Sequence, residues 1–196
     1  TEYSKRQWGM NGEVVNHSID TNLFSPRASS SINRVKKQVL TVAHDFVNRD
    51  YALNYKGWER ITEGLPRVVV GDTPGLSKQS ESVEALVETY RDSLVYINPS
   101  VLSPVPTSML EAMACGCAIV STATCEIPNI IEHGVNGYIS NDETELRGFV
   151  QELLDNPEKA KEMGLKARQT IEEKFSEERF VNEWNTIFDQ TVKARN

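Results

Sequence analysis

The pattern that most constrains the fold of this chain is an alternation of short apolar runs with amphipathic stretches. The apolar runs are rich in β-branched residues and predict strands at 37–43, 66–72, 94–100, 117–122 and 136–140. The other stretches predict helices at 51–64, 77–93, 108–116, 127–134 and about 142–155, 157–174 and 176–193. Because these strands are apolar throughout, helices should cover both faces of the sheet. The sequence therefore predicts an α/β fold with a mainly parallel sheet of five or six strands, followed by trailing C-terminal helices.

Composition and charge limit the classes of function. The 196 residues are 39% hydrophobic, which is enough for the core of one ordinary domain or two small ones. The net charge of −7 argues against general nucleic-acid binding, which needs a basic surface. A small anionic ligand remains compatible with it, since a helix N-terminus and two cations can hold one. The mean hydropathy is −0.44 and no apolar stretch approaches about 18 residues, so no membrane span is expected.

The three cysteines, Cys115, Cys117 and Cys125, lie within eleven residues of one another. An odd number in one cluster does not make a disulfide framework. Cys115-Gly116-Cys117 could belong to a metal or redox site, but the nearest histidine is His133 and the surrounding run is apolar. We therefore expect buried, reduced packing cysteines, no metal site and a reducing cytoplasmic location.

The chain divides into two parts by composition. Residues 1–34 are polar and irregular, and the serine-rich stretch 25–31 is typical of a loop or linker. The alternating pattern fills residues 35–196 and predicts the folded domain. The first ten residues contain neither an initiator methionine nor an apolar secretory segment, so we expect a piece of a longer or processed protein.

Ligands of parallel sheets bind beyond the carboxyl ends of the strands, which here means the loops at 43–50, 71–77, 99–108 and 122–127. The loop at 99–108 is rich in proline and serine and enters a helix near Thr107 or Ser108. The positive end of that helix would form a phosphate-binding site. A second interpretation is open for the same residues. Ser108 and Glu111 have the spacing of a capping box, in which the glutamate only folds back onto the helix backbone.

The segment NPSVLSPVPTSMLEAMACG, followed by IIEHGVNGYIS, resembles the donor-binding signature of retaining glycosyltransferases of the GT-B fold, family 4, also called group 1. VVNHSIDTNLFSP is similar to the family's interdomain segment, and KGWERI to its Lys-Gly helix. The resemblance covers about residues 10–190. It implies that 35–196 is a Rossmann-like nucleotide-sugar-binding domain, the C-terminal half of the enzyme. An acceptor-binding half would precede Thr1, and residues 1–34 would include the interdomain linker.

The resemblance also implies roles for individual residues. Glu111 matches the family glutamate that accepts hydrogen bonds from the donor ribose, and Thr107 and Ser108 match the positions whose amides meet the diphosphate. Lys56 matches the lysine that faces the leaving diphosphate. The family's Gly-Arg after the first strand is Ala43-His44 here, and Arg49 could reach the same space from a longer loop.

Alternatives remain open for each of these positively charged or polar residues. Arg49 and Lys56 could be solvated surface cations, and His44 could be a polar loop residue or could touch phosphate.

The chain departs from the family pattern at three places. Ser103 stands where the family has the glutamate that lies near the transferred sugar, so the catalytic position carries a hydroxyl instead of a carboxylate. Asn129 replaces another family glutamate. The stretch between the strand at 66–72 and the following helix is short, so the sheet is expected to be one strand smaller, with less wall around the nucleotide base.

The activity that the resemblance implies is retaining glycosyl transfer from a UDP- or GDP-sugar, without a further cofactor. The acceptor would be a glycan, a lipid or a small molecule bound by the missing half, and the full-length protein would be cytoplasmic or peripheral at the membrane. Two alternatives stay open. The change at Ser103 is compatible with a nucleotide-binding module that has lost turnover. A different doubly wound domain, such as an epimerase half or a receiver, is a third reading. A receiver needs an acidic cluster after the first strand, where only Asp45 and Asp50 occur.

Overall fold

A computed structural model describes residues 1–27 and 36–193. Its five strands are β1 (Lys36–Val42), β2 (Arg67–Val70), β3 (Ser93–Asn98), β4 (Ala118–Ser121) and β5 (Tyr138–Ile139). They form one sheet in the order β2-β1-β3-β4-β5, and every neighbouring pair is parallel. The predicted α/β fold with a parallel, Rossmann-like sheet is confirmed.

The helices of the described residues surround this sheet. They are α1 (Glu2–Trp8), α2 (Asp50–Leu53), α3 (Tyr55–Thr62), α4 (Val83–Asp92), α5 (Thr107–Ala114), α6 (Ile127–Ile130), α7 (Glu143–Asp155), α8 (Pro157–Lys174) and α9 (Glu177–Lys193). The single helix predicted over 51–64 is wrong, because Asn54 adopts a left-handed conformation with φ of 55° and separates α2 from α3. The side chain of Asn54 then caps α3 by accepting a hydrogen bond from the amide of Gly57.

Alternate residues of the central strands pack into opposite layers of the core. Leu40 of β1 and Tyr96 of β3 belong to one layer, with residues of α4, α5 and the C-terminal part of α8. Val39 and Val95 belong to the other layer, with residues of α3, α7 and the N-terminal part of α8. Each fully buried aliphatic side chain of this kind contributes about 1.5–3 kcal/mol, so both layers stabilise the sheet. This two-sided burial explains why the strands are apolar throughout.

The two neighbouring cysteines pack inside the protein, as predicted. Cys115 and Cys117 are fully buried in the layer that contains α5, and Cys125 is partly buried. No group of three or more potential metal ligands is present among residues 1–27 and 36–193.

The N-terminal segment is more ordered than the irregular linker predicted over 1–34. It begins with α1, which Thr1 caps, and its later residues pack against the C-terminal helices. Ile19 is buried and donates its amide proton to the carbonyl of Phe175, while the guanidinium of Arg168 donates to the carbonyls of Thr21 and Phe24. The segment around residues 16–27 is thus part of the folded domain. Residues 28–31 of the predicted serine-rich loop lie outside the described residues.

None of the described helices combines the length and the apolar character needed to cross a membrane.

Candidate functional site

A cavity of about 420 Å³ opens at the carboxyl ends of β1 and β3. In the order β2-β1-β3, the chain leaves β1 toward β2 on one side and later returns to β3 on the other side. This is the switch point at which open α/β sheets bind their ligands, and the volume lies within the usual range for ligand clefts, about 300–1,000 Å³. We call it the β1/β3 cavity.

Six of the seven residues singled out from the sequence line the β1/β3 cavity, although they come from two separate loops and α5. These six are His44, Arg49, Ser103, Thr107, Ser108 and Glu111. The seventh, Lys56, is not among the lining residues. Its side chain is 73% exposed, and its Nζ atom lies 3.7 Å from Oδ2 of Asp50. This position fits the solvated-cation interpretation of Lys56, and its contact with a diphosphate stays a prediction.

The N-terminus of α5 faces the cavity through Thr107 and Ser108. Pro106 precedes the helix and offers no side chain to cap it, while its carbonyl accepts from the amides of Met109 and Leu110. The first amides of a helix have no partner inside the helix, and the helix dipole is positive at this end. The N-terminus of α5 is therefore suited to an anion in the cavity.

The capping-box interpretation of Ser108 and Glu111 is wrong. Helix α5 begins at Thr107, so Glu111 lies in the second turn, beyond reach of the first amides. Its Oε2 atom instead accepts a hydrogen bond of 2.8 Å from the Tyr90 hydroxyl, which α4 supplies. The Ser108 hydroxyl donates to the carbonyl of Val42 and lies 2.8 Å from the Tyr96 hydroxyl. The carboxylate of Glu111 is therefore directed by tertiary contacts and not by its own helix.

Glu111 is the only carboxylate among the described residues that line the β1/β3 cavity. Burial raises the pKa of this carboxyl, and the hydrogen bond from Tyr90 partly opposes that rise by stabilising the charged form. Burial also raises the pKa values of Tyr90 and Tyr96 well above the ordinary value for tyrosine, so both phenols stay neutral hydrogen-bond donors. Such a carboxylate, half-buried with one oxygen already held, is suited to accept from neutral hydroxyl groups of a ligand.

His44 is held at the mouth of the cavity by a carboxylate that the sequence did not indicate. Its Nδ1 atom lies 2.8 Å from Oδ1 of Asp72, and the amide of Asp45 donates to the same oxygen. The contact with His44 lowers the pKa of Asp72 below its usual value. The two loops meet because Gly71 packs directly on Ala43, where a Cβ atom would lie 1.8 Å from the Ala43 carbonyl oxygen. In the sequence, the only signal for Asp72 is its place in a turn after β2.

Arg49 brings positive charge to the cavity. It precedes α2, its side chain is exposed, and its guanidinium has no ion-pair partner in the part of the chain that the structure describes. A guanidinium in this position can bind a phosphate group without first breaking an existing ion pair.

Three further residues at the end of β3 complete the cavity wall. Asn98 donates to the Ser121 hydroxyl at 2.9 Å, and the Ser100 hydroxyl donates to Asn98 Oδ1 at 2.8 Å. Together with Tyr96 they form a buried polar part of the cavity wall. The Asn-Pro-Ser sequence directly after a buried strand was the available signal for this part of the wall.

A second groove, of about 380 Å³, adjoins the β1/β3 cavity on the side of β2. The two share the side chains of Val42, His44 and Leu86, and residues 79–83 form the outer wall of the groove. An extended ligand could therefore occupy both spaces at once.

The parallel five-stranded sheet with helices around it is the architecture of one half-domain of the GT-B fold. The model of the family "Glycosyl transferases group 1" matches residues 67–170, more than half of the chain. The chain belongs to this family.

Individual relatives agree with this assignment. N-acetyl-alpha-D-glucosaminyl L-malate synthase from Bacillus anthracis is 37% identical over 87 residues, which span 43% of this chain and 23% of the synthase. Two solved structures share the fold. Sucrose-phosphate synthase from Thermosynechococcus elongatus has a TM-score of 0.79 at 18% identity, over 98% of this chain and 56% of that one. HepE from Anabaena in complex with UDP has a TM-score of 0.72 at 15% identity, over 96% and 60% respectively.

The chain thus spans about a quarter of the length of the Bacillus anthracis synthase and little more than half of the length of the two proteins of known structure.

Proposed function

We propose that this chain is the donor-binding half of a glycosyltransferase that uses a UDP- or GDP-sugar and retains the configuration at the anomeric carbon. The observation that carries the proposal is the meeting of Glu111, Arg49 and the N-terminus of α5 on one cavity at the switch point of the sheet. A carboxylate for hydroxyl groups beside a cation and free amides for phosphates is the complement of a nucleoside diphosphate. The complex of the Anabaena relative with UDP supports this choice of ligand.

In the proposed complex the diphosphate lies at the amides of Thr107 and Ser108, near Arg49 and His44. The ribose hydroxyls donate to Glu111, and the base enters the adjoining groove beyond Leu86. As the bond between sugar and diphosphate loosens, negative charge grows on the leaving group. Arg49 and the α5 amides stabilise that charge because they already face its position, with Lys56 a further cation that could move toward it.

The transferred sugar would extend toward Ser103, and this residue supports a second candidate function. The described lining residues include no carboxylate besides Glu111, so the position expected to hold or orient the sugar offers only a hydroxyl. A module that binds a nucleotide sugar without turning it over is compatible with this arrangement.

The rest of the proposed activity depends on residues outside this chain. We propose that an acceptor-binding half supplies the glycan, lipid or small-molecule acceptor, in the cytoplasm or at the membrane surface. The 196-residue chain by itself is expected to bind a nucleoside diphosphate weakly and to transfer no sugar, because the closed cleft that orients the two substrates is incomplete.

Calorimetric titration of the chain with UDP and with GDP tests the proposal. If Glu111 accepts from the ribose, Glu111→Gln should cost about 1.5–3 kcal/mol of binding, a roughly 10- to 150-fold rise in Kd. The loss should be much smaller for the 2′,3′-dideoxy nucleotide, which has no hydroxyl groups to donate. Equal affinities of the unsubstituted chain and Glu111→Gln for the tighter-binding nucleotide would refute the ribose contact. Hydrolysis of the donor by the full-length protein then separates an enzyme from a binding module.

A further inference from the structure

Helix α5 presents Glu111 to the β1/β3 cavity, but the direction of its carboxylate depends on a residue of another helix. We propose that Tyr90 is a positioning residue that holds Oε2 of Glu111, so that Oε1 remains directed to the ribose of a bound nucleotide. The inference rests on the proposed function, since it concerns how the carboxylate that would bind the ribose is oriented.

The surroundings of Tyr90 make it a fixed donor. Tyr90 is fully buried, and its ring packs against those of Phe24 and Tyr96 with centroid distances of 6.2 and 6.1 Å. Its carbonyl accepts from the thiol of Cys117 at 3.2 Å, which ties the end of α4 to the core. A phenol in this position has one direction in which to donate, and Glu111 Oε2 lies there at 2.8 Å.

The carboxylate is the member of the pair that needs positioning. The terminal torsion of a glutamate is broad and roughly two-fold, so an unrestrained carboxylate samples many directions. One short hydrogen bond to Oε2 restrains that torsion, and among residues 1–27 and 36–193 no hydrogen bond is formed to Oε1. Binding of the ribose then costs less ordering of the side chain, which is the advantage of a preorganised site.

The same hydrogen bond also affects the pKa of the Glu111 carboxyl. The bond from Tyr90 opposes the rise that burial causes in the pKa of Glu111, so it keeps the carboxylate charged down to lower pH. The titratable groups around it are the phenols of Tyr90 from α4 and Tyr96 from β3, with the thiol of Cys115 near Tyr90. Arg49 and His44 line the same cavity.

The test compares Tyr90→Phe with Tyr138→Phe, because each change removes one buried phenol oxygen that donates to a glutamate. Tyr138 donates to Glu152 at 3.3 Å and lies on β5, outside the cavity. We expect Tyr90→Phe to raise the Kd for UDP about three- to tenfold at neutral pH. We also expect the pH below which affinity is lost to move upward. Tyr138→Phe should change neither quantity.

A double-mutant cycle separates positioning from a general structural effect. If Tyr90 acts through Glu111, the double variant Tyr90→Phe with Glu111→Gln should bind UDP no more weakly than Glu111→Gln alone. Additive losses, or a Tyr90→Phe protein that binds like Tyr138→Phe at every pH, would overturn the proposal. An unchanged affinity in Glu111→Gln alone would instead overturn the ribose contact of the proposed function.

If Tyr90→Phe does not fold, a second measurement tests whether Tyr90 holds the carboxylate of Glu111. In protein labelled with ¹³C at the glutamate carboxyls, the resonance that disappears in Glu111→Gln identifies this side chain. It should shift between H₂O and D₂O because a hydroxyl proton donates to it. The isotope shift should persist when the 2′,3′-dideoxy analogue of UDP is bound, since this analogue has no ribose hydroxyl groups to donate. Loss of that shift on binding the analogue would show that Tyr90 does not hold the carboxylate in the complex.

Discussion

The Nδ1 atom of His44 lies 2.8 Å from Oδ1 of Asp72, so a carboxylate after β2 fixes an imidazole after β1. The close packing of Gly71 on Ala43 brings these two loops together. His44 occupies the mouth of the cavity at the position where the family pattern has an arginine. In the proposed complex it would face the diphosphate with an imidazole, whereas an arginine presents a planar guanidinium with five N–H donors.

His44→Arg should therefore tighten the binding of UDP. A guanidinium can donate two parallel hydrogen bonds to one phosphate group, which an imidazole cannot, so we expect about a three- to tenfold lower Kd. The measurement is a calorimetric titration with UDP. His133→Arg is the control, since His133 lies on the surface near β5, outside the cavity. A gain that is equal in both variants would exclude a specific contact of residue 44 with the ligand.

Arg49→Ala and Lys56→Ala should separate the two predicted phosphate-binding cations. Arg49 lines the cavity without an ion-pair partner among the described residues, so its loss should raise the Kd for UDP about tenfold. Lys56 is largely exposed beside Asp50, so its loss should change the Kd less than about twofold unless the side chain moves on binding. Calorimetric titration with UDP measures the Kd of both variants. A larger rise in Kd for Lys56→Ala than for Arg49→Ala would indicate that Lys56 is the principal diphosphate contact.

The stability of the chain should depend on pH through Glu111. Its pKa in the folded state is raised by burial, so the folded protein holds this proton more tightly than the unfolded chain does. The cost of ionising Glu111 is absent below the pKa of the unfolded state and grows as pH rises through the folded pKa. The free energy of unfolding of Glu111→Gln, minus that of the unsubstituted chain, should therefore increase from about pH 4 to pH 7. Urea unfolding at several pH values measures it, and a constant difference would contradict the raised pKa.

Ser103→Glu in the full-length protein tests the two candidate functions. Ser103 lines the cavity, and in the proposed complex it is the residue toward which the transferred sugar extends. If the hydroxyl alone limits turnover, the substitution should raise donor hydrolysis or transfer about tenfold or more, because the sugar gains a charged partner that orients it. Ser103→Gln, of the same length but uncharged, is the matched control. Unchanged turnover in the glutamate variant would show that activity is limited elsewhere.

Two helical glycines should respond in opposite directions to alanine. A Cβ atom at Gly164 of α8 would lie 2.1 Å from the carbonyl oxygen of Gly116, so Gly164→Ala should destabilise the chain by about 1–3 kcal/mol. A Cβ atom at Gly148 of α7 meets no atom within 4 Å, so Gly148→Ala should stabilise it by about 0.5–1 kcal/mol. Thermal unfolding of both variants is sufficient to check this. Destabilisation by Gly148→Ala would mean that α7 depends on that glycine.

The class of fold and the family could both be predicted from the amino-acid sequence. Apolar strands alternating with amphipathic helices require a parallel sheet covered on both faces, since neither element can bury its apolar surface alone. The rule that ligands bind at the carboxyl ends of the strands indicated which loops to consider, and six of the seven residues singled out there and in α5 line one cavity. Their roles in binding stay predictions.

The contacts that hold those residues in place depend on the tertiary structure. Helix spacing permitted a capping role for Glu111, but the contact with Tyr90 depends on how α4 packs against α5. Asp72 reaches His44 because the register of β1 against β2 aligns Val42 with Val70 and brings the two following loops together. Lys56 stays outside the cavity because Asn54 interrupts the predicted helix and leaves Lys56 beside Asp50. The contacts of Glu111 with Tyr90 and of His44 with Asp72 join segments 21 and 28 residues apart, so local propensity does not predict them. The apolar pattern of each strand and helix, by contrast, indicates which of its faces is buried.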